Sequence, residues 1–403
     1  MHNKAPNRRE RIHRRTGADG RADLVERGAG LMRSGRVAVV ASAQTELRSA
    51  WSDAQHVDLI SAVVSSVFRG TGLTLDDVDF VIDSGSDVLD GRSISNCGFL
   101  GALGAHHKEE ARVEEDGLWA AQYGVNKIRS GASSLGLIVA YSKPSESNVD
   151  AYWGSQCEPF YQRPVGFGQR AANGIQAQRY LAECQTSALD LAKLVARRWA
   201  DAAANGDVEI DVVPDADAVL ESGGGATPLT RLMLARPVDG AVAVLLATET
   251  IARRMSRAPV FVTGMGSAMS GHAFATRDKG GLVACEAAAA MAMRSAGWKD
   301  AKADIAEVSA SSIISELMVI EALGLAPSGH GIDAANEGKV AINRSGGALP
   351  ADPIMATGLV RLAQASRQMS ADDGPGGGAR KRGLVHGAGG VAMQNNCVFA
   401  LEV

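Results

Sequence analysis

The sequence has few aromatic residues, little net charge and no long apolar run, and each of these features excludes a class of protein. Trp, Tyr and Phe make up 4% of the 403 residues, whereas 46% of the residues are hydrophobic. No apolar run approaches the roughly 18 residues that a membrane-spanning helix needs. The formal net charge of −4 argues against a surface that binds nucleic acid. The composition is that of an ordinary soluble globular protein.

Cysteines are also few. The five cysteines are scattered along the chain and form no Cys-x-x-Cys motif or other metal-ligand spacing. We therefore predict no metal site, and we expect reduced thiols in a cytoplasmic protein.

The order of patterns along the chain predicts an α/β protein of two related halves. Residues 1–35 are rich in Arg and poor in apolar residues, which is typical of a disordered basic arm. A strand, helix, strand order begins at residue 36 and returns after residue 256, so we assign the halves to residues 36–255 and 256–403. An inserted region at about residues 151–225 carries several of the scarce aromatics and is predicted to cover a substrate site.

The stretch from Asn343 to Gly358 has the features of a ligand-binding loop. Ser345-Gly346-Gly347 follows a predicted strand, and residues 356–358 begin a predicted helix. Glycines at a strand end let the backbone approach a ligand closely, and a helix N-terminus favours anions. On spacing alone, an ordinary Gly-rich connection fits the pattern as well.

This stretch resembles the C-terminal active-site loop of the thiolase superfamily, Asn-x-x-Gly-Gly followed by Gly-His-Pro. Asp352 stands before Pro353 here, where the family has His. The first strand at residues 37–45, the segment 307–325 and the motif that begins at His386 resemble the branch related to the thiolase part of sterol carrier protein x, whose members are often named lipid-transfer proteins. The resemblance implies a five-layer α-β-α-β-α sandwich of two similar halves. It also implies a homodimer, because the strand at residues 135–141 lies near the dimer face in the family.

The resemblance further implies that the catalytic residues of a thiolase have been replaced. Family members of the condensing type use a nucleophilic Cys at a helix N-terminus, activated by histidines. The spacing to Ile128-Arg-Ser-Gly131 puts Glu114 at the position of that Cys. Ser309 and Asp352 stand at the two activating positions, and only His386 keeps an imidazole. Ordinary thiolysis is therefore not expected.

Two close carboxylates favour proton-transfer chemistry instead. We predict that Glu114 and Asp352 share one pocket, where their like charges raise the pKa of one of them, so that the two serve as acid and base. Such a pair, with His386 as a third proton carrier, suits a retro-aldol or hydration-type step on a β-hydroxyacyl-CoA thioester, with no cofactor. Members of the branch that lack the Cys include aldolases that cleave steroid side chains with a small zinc-ribbon and OB-fold partner. A separate partner chain of this kind is predicted here.

Two other functions fit the same residues. The chain is a binding or scaffold protein for acyl-CoA or sterol-CoA if Glu114 is only a first-turn helix acid, Asp352 a turn residue and His386 a core histidine. It is an acyltransferase if Cys97 serves as a relocated nucleophile.

Overall fold

The structure, a computed structural model, describes residues 35–370 and 381–403. The arm predicted for residues 1–35 lies outside this range except for Gly35. The described strands are β1 (Val37–Gln44), β2 (Phe80–Ser84), β3 (Glu109–Val113), β4 (Leu135–Ser142), β5 (Gly240–Thr248), β6 (Val260–Met269), β7 (Ile305–Val308), β8 (Ala341–Ile342), β9 (Arg382–Gly389) and β10 (Asn395–Glu402). The described α-helices are α1 (His56–Val67), α2 (Asp87–Asp90), α3 (Gly117–Arg129), α4 (Val149–Ser155), α5 (Gln169–Glu183), α6 (Ala188–Asn205), α7 (Ala216–Glu221), α8 (Glu249–Met255), α9 (Val283–Ala296), α10 (Ile313–Ala322), α11 (Gly331–Glu337) and α12 (Thr357–Ser370).

The sheet shows the repetition of the two halves directly. Its strand order is β3-β2-β4-β5-β1-β6-β10-β9-β7-β8, and the centre of symmetry lies between β1 and β6. These two strands pair antiparallel through residues 37–39 and 260–262. Counted outward from the centre, the first half runs β1-β5-β4-β2-β3 and the second runs β6-β10-β9-β7-β8, so each half uses its own first, fifth, fourth, second and third strand in that order.

Two helices form a central layer between the half-sheets. The apolar residues of α3 and α12, among them Val125 and Leu362, belong to one buried cluster with residues of both half-sheets, such as Ile138 and Phe399. Helices α1 and α8 cover the outer face of the first half, and α9 and α10 cover that of the second. The predicted five-layer α/β sandwich is therefore confirmed.

Small residues allow the layers to approach closely. Gly264 and Gly266 of β6 lie directly under α9, where an added Cβ would lie 2.0 Å from the carbonyl oxygen of Ala292 and 2.2 Å from that of Ala288. A larger residue at either position would push the helix off the sheet.

The strand at residues 135–141, which the resemblance places near a dimer face, is internal to the sheet of this chain. Strand β4 pairs with β2 on one side and β5 on the other, and all its residues are buried within the chain. Strand β3 is the edge of this half-sheet instead, because it pairs only with β2. The homodimer stays a prediction. Among the described helices, none has the length and apolarity to cross a membrane.

We predict opposite effects for the same substitution at two helical glycines. Ala is normally favoured over Gly within a helix by about 1 kcal/mol. At Gly154 of α4 the added methyl meets open space, so Gly154→Ala should raise the free energy of unfolding slightly. At Gly358 of α12 the methyl would lie 2.0 Å from Oδ1 of Asp116, so Gly358→Ala should lower it by about 2 kcal/mol or more, as overpacking does.

Urea unfolding of the two variants beside the parent measures both effects. A stabilised Gly358→Ala protein would show that the centre of the molecule is loosely packed.

Candidate active site

The two central helices begin at one buried carboxylate, that of Asp116. Asp116 is the N-cap of α3, where its Oδ1 accepts a hydrogen bond of 2.9 Å from the backbone N–H of Leu118. Its Oδ2 accepts a bond of 2.8 Å from the backbone N–H of Gly358, in the first turn of α12. Only 2% of Asp116 is exposed. Burial raises the pKa of Asp116 to about 7, although the two backbone hydrogen bonds lower it.

A small chamber lies against this helix junction. Its polar wall is formed by Asp116, Ser309 and Asp352, together with Ser311 and Thr357. Its volume of about 50 Å³ leaves room for the reacting part of a ligand and not for a whole one. Residues from both halves of the chain thus meet at the ends of the central helices, as the position of Asp352 in the sequence led us to expect.

Asp352 is the half-buried carboxylate of this chamber. The hydroxyl of Thr357 donates a hydrogen bond of 2.5 Å to its Oδ1. Burial raises the pKa of Asp352 to about 6, while the Thr357 hydroxyl and the positive charge of Arg361 lower it. A carboxyl group with this pKa is mostly ionised at neutral pH and can still exchange a proton there.

Ser309 brings an unpaired hydroxyl to the same chamber. It follows the last residue of β7 and is 4% exposed. Its Oγ has no hydrogen-bond partner within the described part of the chain. Because a buried polar group without a partner costs about 1–3 kcal/mol, this hydroxyl is a strong candidate for a ligand contact.

His386 lies beneath the chamber and does not line it. The ring is fully buried on β9, with Nε2 3.0 Å from Oδ1 of Asn396 and Nδ1 3.2 Å from the carbonyl oxygen of Ser309. Burial lowers the pKa of His386 to about 4, so the ring is neutral at physiological pH. The ring fixes the backbone at Ser309. Because it does not line the chamber, it could take the predicted part in proton transfer only through other groups.

Glu114 does not stand where the spacing led us to expect. Its side chain is 51% exposed, and it accepts hydrogen bonds from Nε of Arg112 at 3.2 Å and from the backbone N–H of Asp87 at 2.7 Å. It is not among the residues that line the chamber. The predicted pairing of Glu114 with Asp352 is therefore corrected. The carboxylate that shares the chamber with Asp352 is that of Asp116, two residues later.

The sequence contained a signal for Asp116 that the spacing argument missed. An Asp directly before the apolar pattern of a helix is a typical N-cap. The chain turns inward between the end of β3 and this cap, so the capping side chain points into the protein. Glu114 precedes the turn and remains at the surface.

A wide cleft leads to the chamber and supplies the room that the chamber lacks. It has a volume of about 670 Å³ and shares five lining residues with the chamber, among them Trp153, Gln169 and Asp352. The inserted region provides much of its wall, including Trp199. Three arginines also line it: Arg170, Arg231 and Arg236.

None of the five cysteines lines the chamber or the cleft. Cys97 is exposed in a short turn, and burial raises the pKa of the Cys397 thiol, which disfavours a thiolate. Within the described residues, no group of three or more His, Cys, Asp or Glu side chains could hold a metal ion.

Comparisons with known proteins identify the relatives of this chain. Residues 266–401 match the model of a family described as thiolase C-terminal domain-like. A segment of 209 residues is 28% identical to the benzoylsuccinyl-CoA thiolase subunit BbsB of Thauera aromatica and covers 48% of this chain and 53% of that protein. A segment of 188 residues is 31% identical to sterol carrier protein 2 of Gallus gallus and covers 43% of this chain and 34% of that protein. The chain thus spans about half, or less, of the length of these relatives.

Solved structures match over most of the chain. The structure of an Ltp2-ChsH2(DUF35) aldolase has a TM-score of 0.75 and 18% identity, covering 92% of this chain and 99% of that chain. A monomeric SCP2-thiolase like protein type 1 from Mycobacterium smegmatis has a TM-score of 0.68 and 18% identity, covering 91% and 77%. The resemblance to the branch of sterol carrier protein thiolases is confirmed. The replacement of the catalytic residues stays a prediction.

We predict an unusual pH dependence of stability from the buried carboxyls. The pKa of Asp116 rises from 3.8 in the unfolded chain to about 7 in the fold, and those of Asp352 and Asp83 rise to about 6. The folded protein therefore binds these protons more tightly than the unfolded chain does. Their contribution to stability is present below about pH 4 and is lost as the pH rises through 6 and 7.

Asp116→Asn removes the largest of these contributions and keeps an N-cap residue. As the pH rises from 4 to 8, the free energy of unfolding of this variant should increase relative to that of the parent by up to about 4 kcal/mol. Asp150→Asn, at a side chain that is 74% exposed, is the control and should show no such gain. Urea unfolding across this pH range measures the difference, and parallel curves for parent and Asp116→Asn would contradict the assignment.

Proposed function

We propose that this chain, which resembles the thiolase superfamily, cleaves a carbon–carbon bond of a β-hydroxyacyl-CoA thioester by a retro-aldol reaction. One observation carries the proposal: an ionisable carboxylate, that of Asp352, and a hydroxyl without a partner in the described residues, that of Ser309, line the same small chamber beside a wide cleft. This is the pair of groups that the reaction needs.

The reaction begins with proton removal. The carboxylate of Asp352 takes the proton of the β-hydroxyl, the bond between the α- and β-carbons breaks, and a carbonyl group forms at the β-carbon. The electron pair of the broken bond moves into the thioester as an enolate. Asp352 then returns its proton to the α-carbon, so the products are an aldehyde or ketone and a shorter acyl-CoA.

The negative charge of the enolate is stabilised by the Ser309 hydroxyl, which donates a hydrogen bond to the thioester oxygen, in the manner of an oxyanion donor. The N-termini of α3 and α12 meet beside the chamber, where they hold the Asp116 carboxyl. The pKa of Asp352, about 6, lies near the operating pH, where a general base works best.

The cleft has the size and charge for the CoA part of the substrate. A volume of about 670 Å³ is within the usual range for ligand sites. The guanidinium of Arg236 already bonds to Pro350, Ser49 and Glu209, so it shapes the wall. Arg231 is exposed and has no side-chain hydrogen bond within the described residues, which leaves it available for a phosphate.

A binding function without turnover is the second candidate. It is favoured by the hydrogen bonds at Asp116, because both oxygens of that carboxylate serve the two helices and the group is explained without chemistry.

Site variants separate these two functions. Asp352→Asn should reduce kcat by about 10²–10⁴, the usual contribution of a positioned base. Ser309→Ala should reduce it by about 10²–10³, the usual effect of one lost oxyanion donor. Glu114→Gln, outside the chamber, should stay within about 3-fold of the parent, since its removal changes no group that faces the substrate.

The assay uses the protein copurified with any partner, with steroid and fatty β-hydroxyacyl-CoAs as substrates and melting temperatures as the control for folding. The kcat/KM of the parent should rise with pH through about 6, because Asp352 must be ionised. Turnover that survives in Asp352→Asn would exclude this mechanism. A large loss of kcat in Glu114→Gln would support the pairing of Glu114 with Asp352 that the spacing predicted.

An exposed apolar loop favours a partner chain. Phe160, Tyr161 and Val165 are 80%, 83% and 77% exposed, and they follow α4, whose residues line the cleft. Contiguous exposed apolar side chains mark interaction sites, and aromatic residues are enriched there. We propose that a small acyl-CoA-binding protein with a zinc ribbon and an OB-fold docks at this loop. The similarity to the Ltp2-ChsH2(DUF35) aldolase, whose name joins two proteins, supports a partner of some kind.

The double variant Phe160→Ser/Tyr161→Ser should lose at least about 10-fold of the affinity for this partner, because even one aromatic residue at the centre of an interface can contribute about 2 kcal/mol. Val212→Ser, at another site that is 75% exposed, is the matched control. Copurification from the host and titration of the purified chains measure the effect. A double variant that retains the partner at parental affinity would exclude this loop as the docking site.

A further inference from the structure

A second cleft, separate from the wide one, adjoins the chamber on its other side. It has a volume of about 370 Å³, and its wall includes Phe274, Leu282, Ala284 and Met393. Met393 lines both this cleft and the chamber, so the two spaces meet at this residue. The proposed reaction makes no use of this cleft.

The second cleft does not suit the phosphates of CoA. Its one arginine, Arg277, donates hydrogen bonds of 2.6–2.8 Å to the carbonyl oxygens of Gly271, Val391 and His272. Its guanidinium is therefore committed to the backbone, and the neighbouring Asp278 would repel an anion. An uncharged, largely apolar ligand fits the wall better.

One polar side chain in this cleft has no partner. Gln176 is 3% exposed, and its Oε1 has no hydrogen bond within the described residues. Gln176 lies two turns of α5 after Gln169, so both project from the same face of the helix. Gln169 holds the wall of the chamber, since its Oε1 accepts a hydrogen bond of 2.9 Å from the backbone N–H of Ala392. Gln176 therefore carries an unsatisfied acceptor in the wall of the second cleft.

The wall between the two spaces is held in a strained form. Ala392 and Met393 have φ angles of 55°, in the left-handed region that residues with a Cβ rarely adopt. Besides the bond from Ala392 to Gln169, the carbonyl oxygen of Met393 accepts a bond of 3.0 Å from Asn396. Strain of this kind persists only where surrounding contacts enforce it, and it clusters at ligand sites.

We infer that the second cleft binds the distal part of the acyl group, an apolar chain or ring system that carries a hydroxyl far from the thioester. The hydroxyl donates a hydrogen bond to Oε1 of Gln176, and Met393 sets the width of the passage from the chamber. This inference rests on the proposed function for the orientation of the substrate. It makes Gln176 the residue that determines specificity for the acyl group.

Binding of unreactive acyl-CoAs tests the inference apart from the reaction. The probes are saturated acyl-CoAs of six to twelve carbons and the same series with a terminal hydroxyl, none of which carries a β-hydroxyl. At the chain length that reaches Gln176, the hydroxyl should tighten binding by about 3- to 10-fold, the usual gain from one hydrogen bond to a buried acceptor. In Gln176→Leu this gain should disappear, while the affinity for the plain chain stays the same or improves.

Substitutions at two methionines test whether Met393 controls the passage from the chamber to the second cleft. Met393→Ala should move the tightest binding to a wider or longer acyl group. Met355→Ala should not, although Met355 is also buried, also left-handed with a φ of 74°, and also lines the chamber, because it does not line the second cleft.

A parent protein that shows no preference for the hydroxyl at any chain length would overturn the inference, as would a preference that survives in Gln176→Leu. The first result needs no variant, so it does not depend on whether a variant folds. If the hydroxyl preference is found and no β-hydroxyacyl-CoA is cleaved, the proposed reaction fails and the acyl site stands. If β-hydroxyacyl-CoA is cleaved and no hydroxyl preference is found, the proposed reaction stands and the acyl site fails.

Discussion

Asp116 accepts hydrogen bonds from the first turns of both central helices, and the position of these helices determines that of both half-sheets. Each helix contributes N–H groups that have no partner within the helix, so a carboxylate between them satisfies two helix ends at once. A cap of this kind is worth about 1 kcal/mol to one helix, and hydrogen bonds to a charged acceptor are stronger than neutral ones. Burial opposes this gain, because the charged form is costly away from water, as the raised pKa of Asp116 shows. The carboxyl group that joins the two helix ends therefore has a pKa close to neutral pH.

A second layer of buried polar contacts positions the end of β7, directly before Ser309. Oδ1 of Asn343 accepts a hydrogen bond of 2.7 Å from the backbone N–H of Val308, and its Nδ2 donates one of 3.0 Å to Glu316. Glu316 in turn pairs with the buried Arg198 at 2.6 Å. Breaking one partner of a buried pair costs about 3–5 kcal/mol, so this network tolerates little change. The start of the stretch that begins at Asn343 therefore holds the end of β7 in place, and Asp352 follows later in the same stretch.

The sequence predicted the fold and two of the residues of the chamber, because motif order and strand-helix order are encoded locally. Ser309 and Asp352 each follow a recognisable motif, and both line the chamber. The assignment of Glu114 failed by two residues. Spacing between motifs does not say which side chain of a turn caps the next helix, and that choice sends Asp116 inward and Glu114 outward. The second cleft could not be found from the sequence, since Gln176, Phe274 and Met393 come from distant segments that meet only in the folded chain.

The internal symmetry of the fold explains why two carboxylates meet at all. Helix α3 of the first half and α12 of the second form the same central layer, and their N-termini point to the same place. Asp116 stands directly before α3, and Asp352 stands five residues before α12. Each acid thus belongs to the loop that enters the buried helix of its own half, and the symmetry of the halves brings the two loops together. Because the acids share one chamber, the charge of Asp352 adds to burial in raising the pKa of Asp116. The symmetry of the fold therefore brings two acids that are far apart in the sequence close enough for the charge of one to affect the pKa of the other.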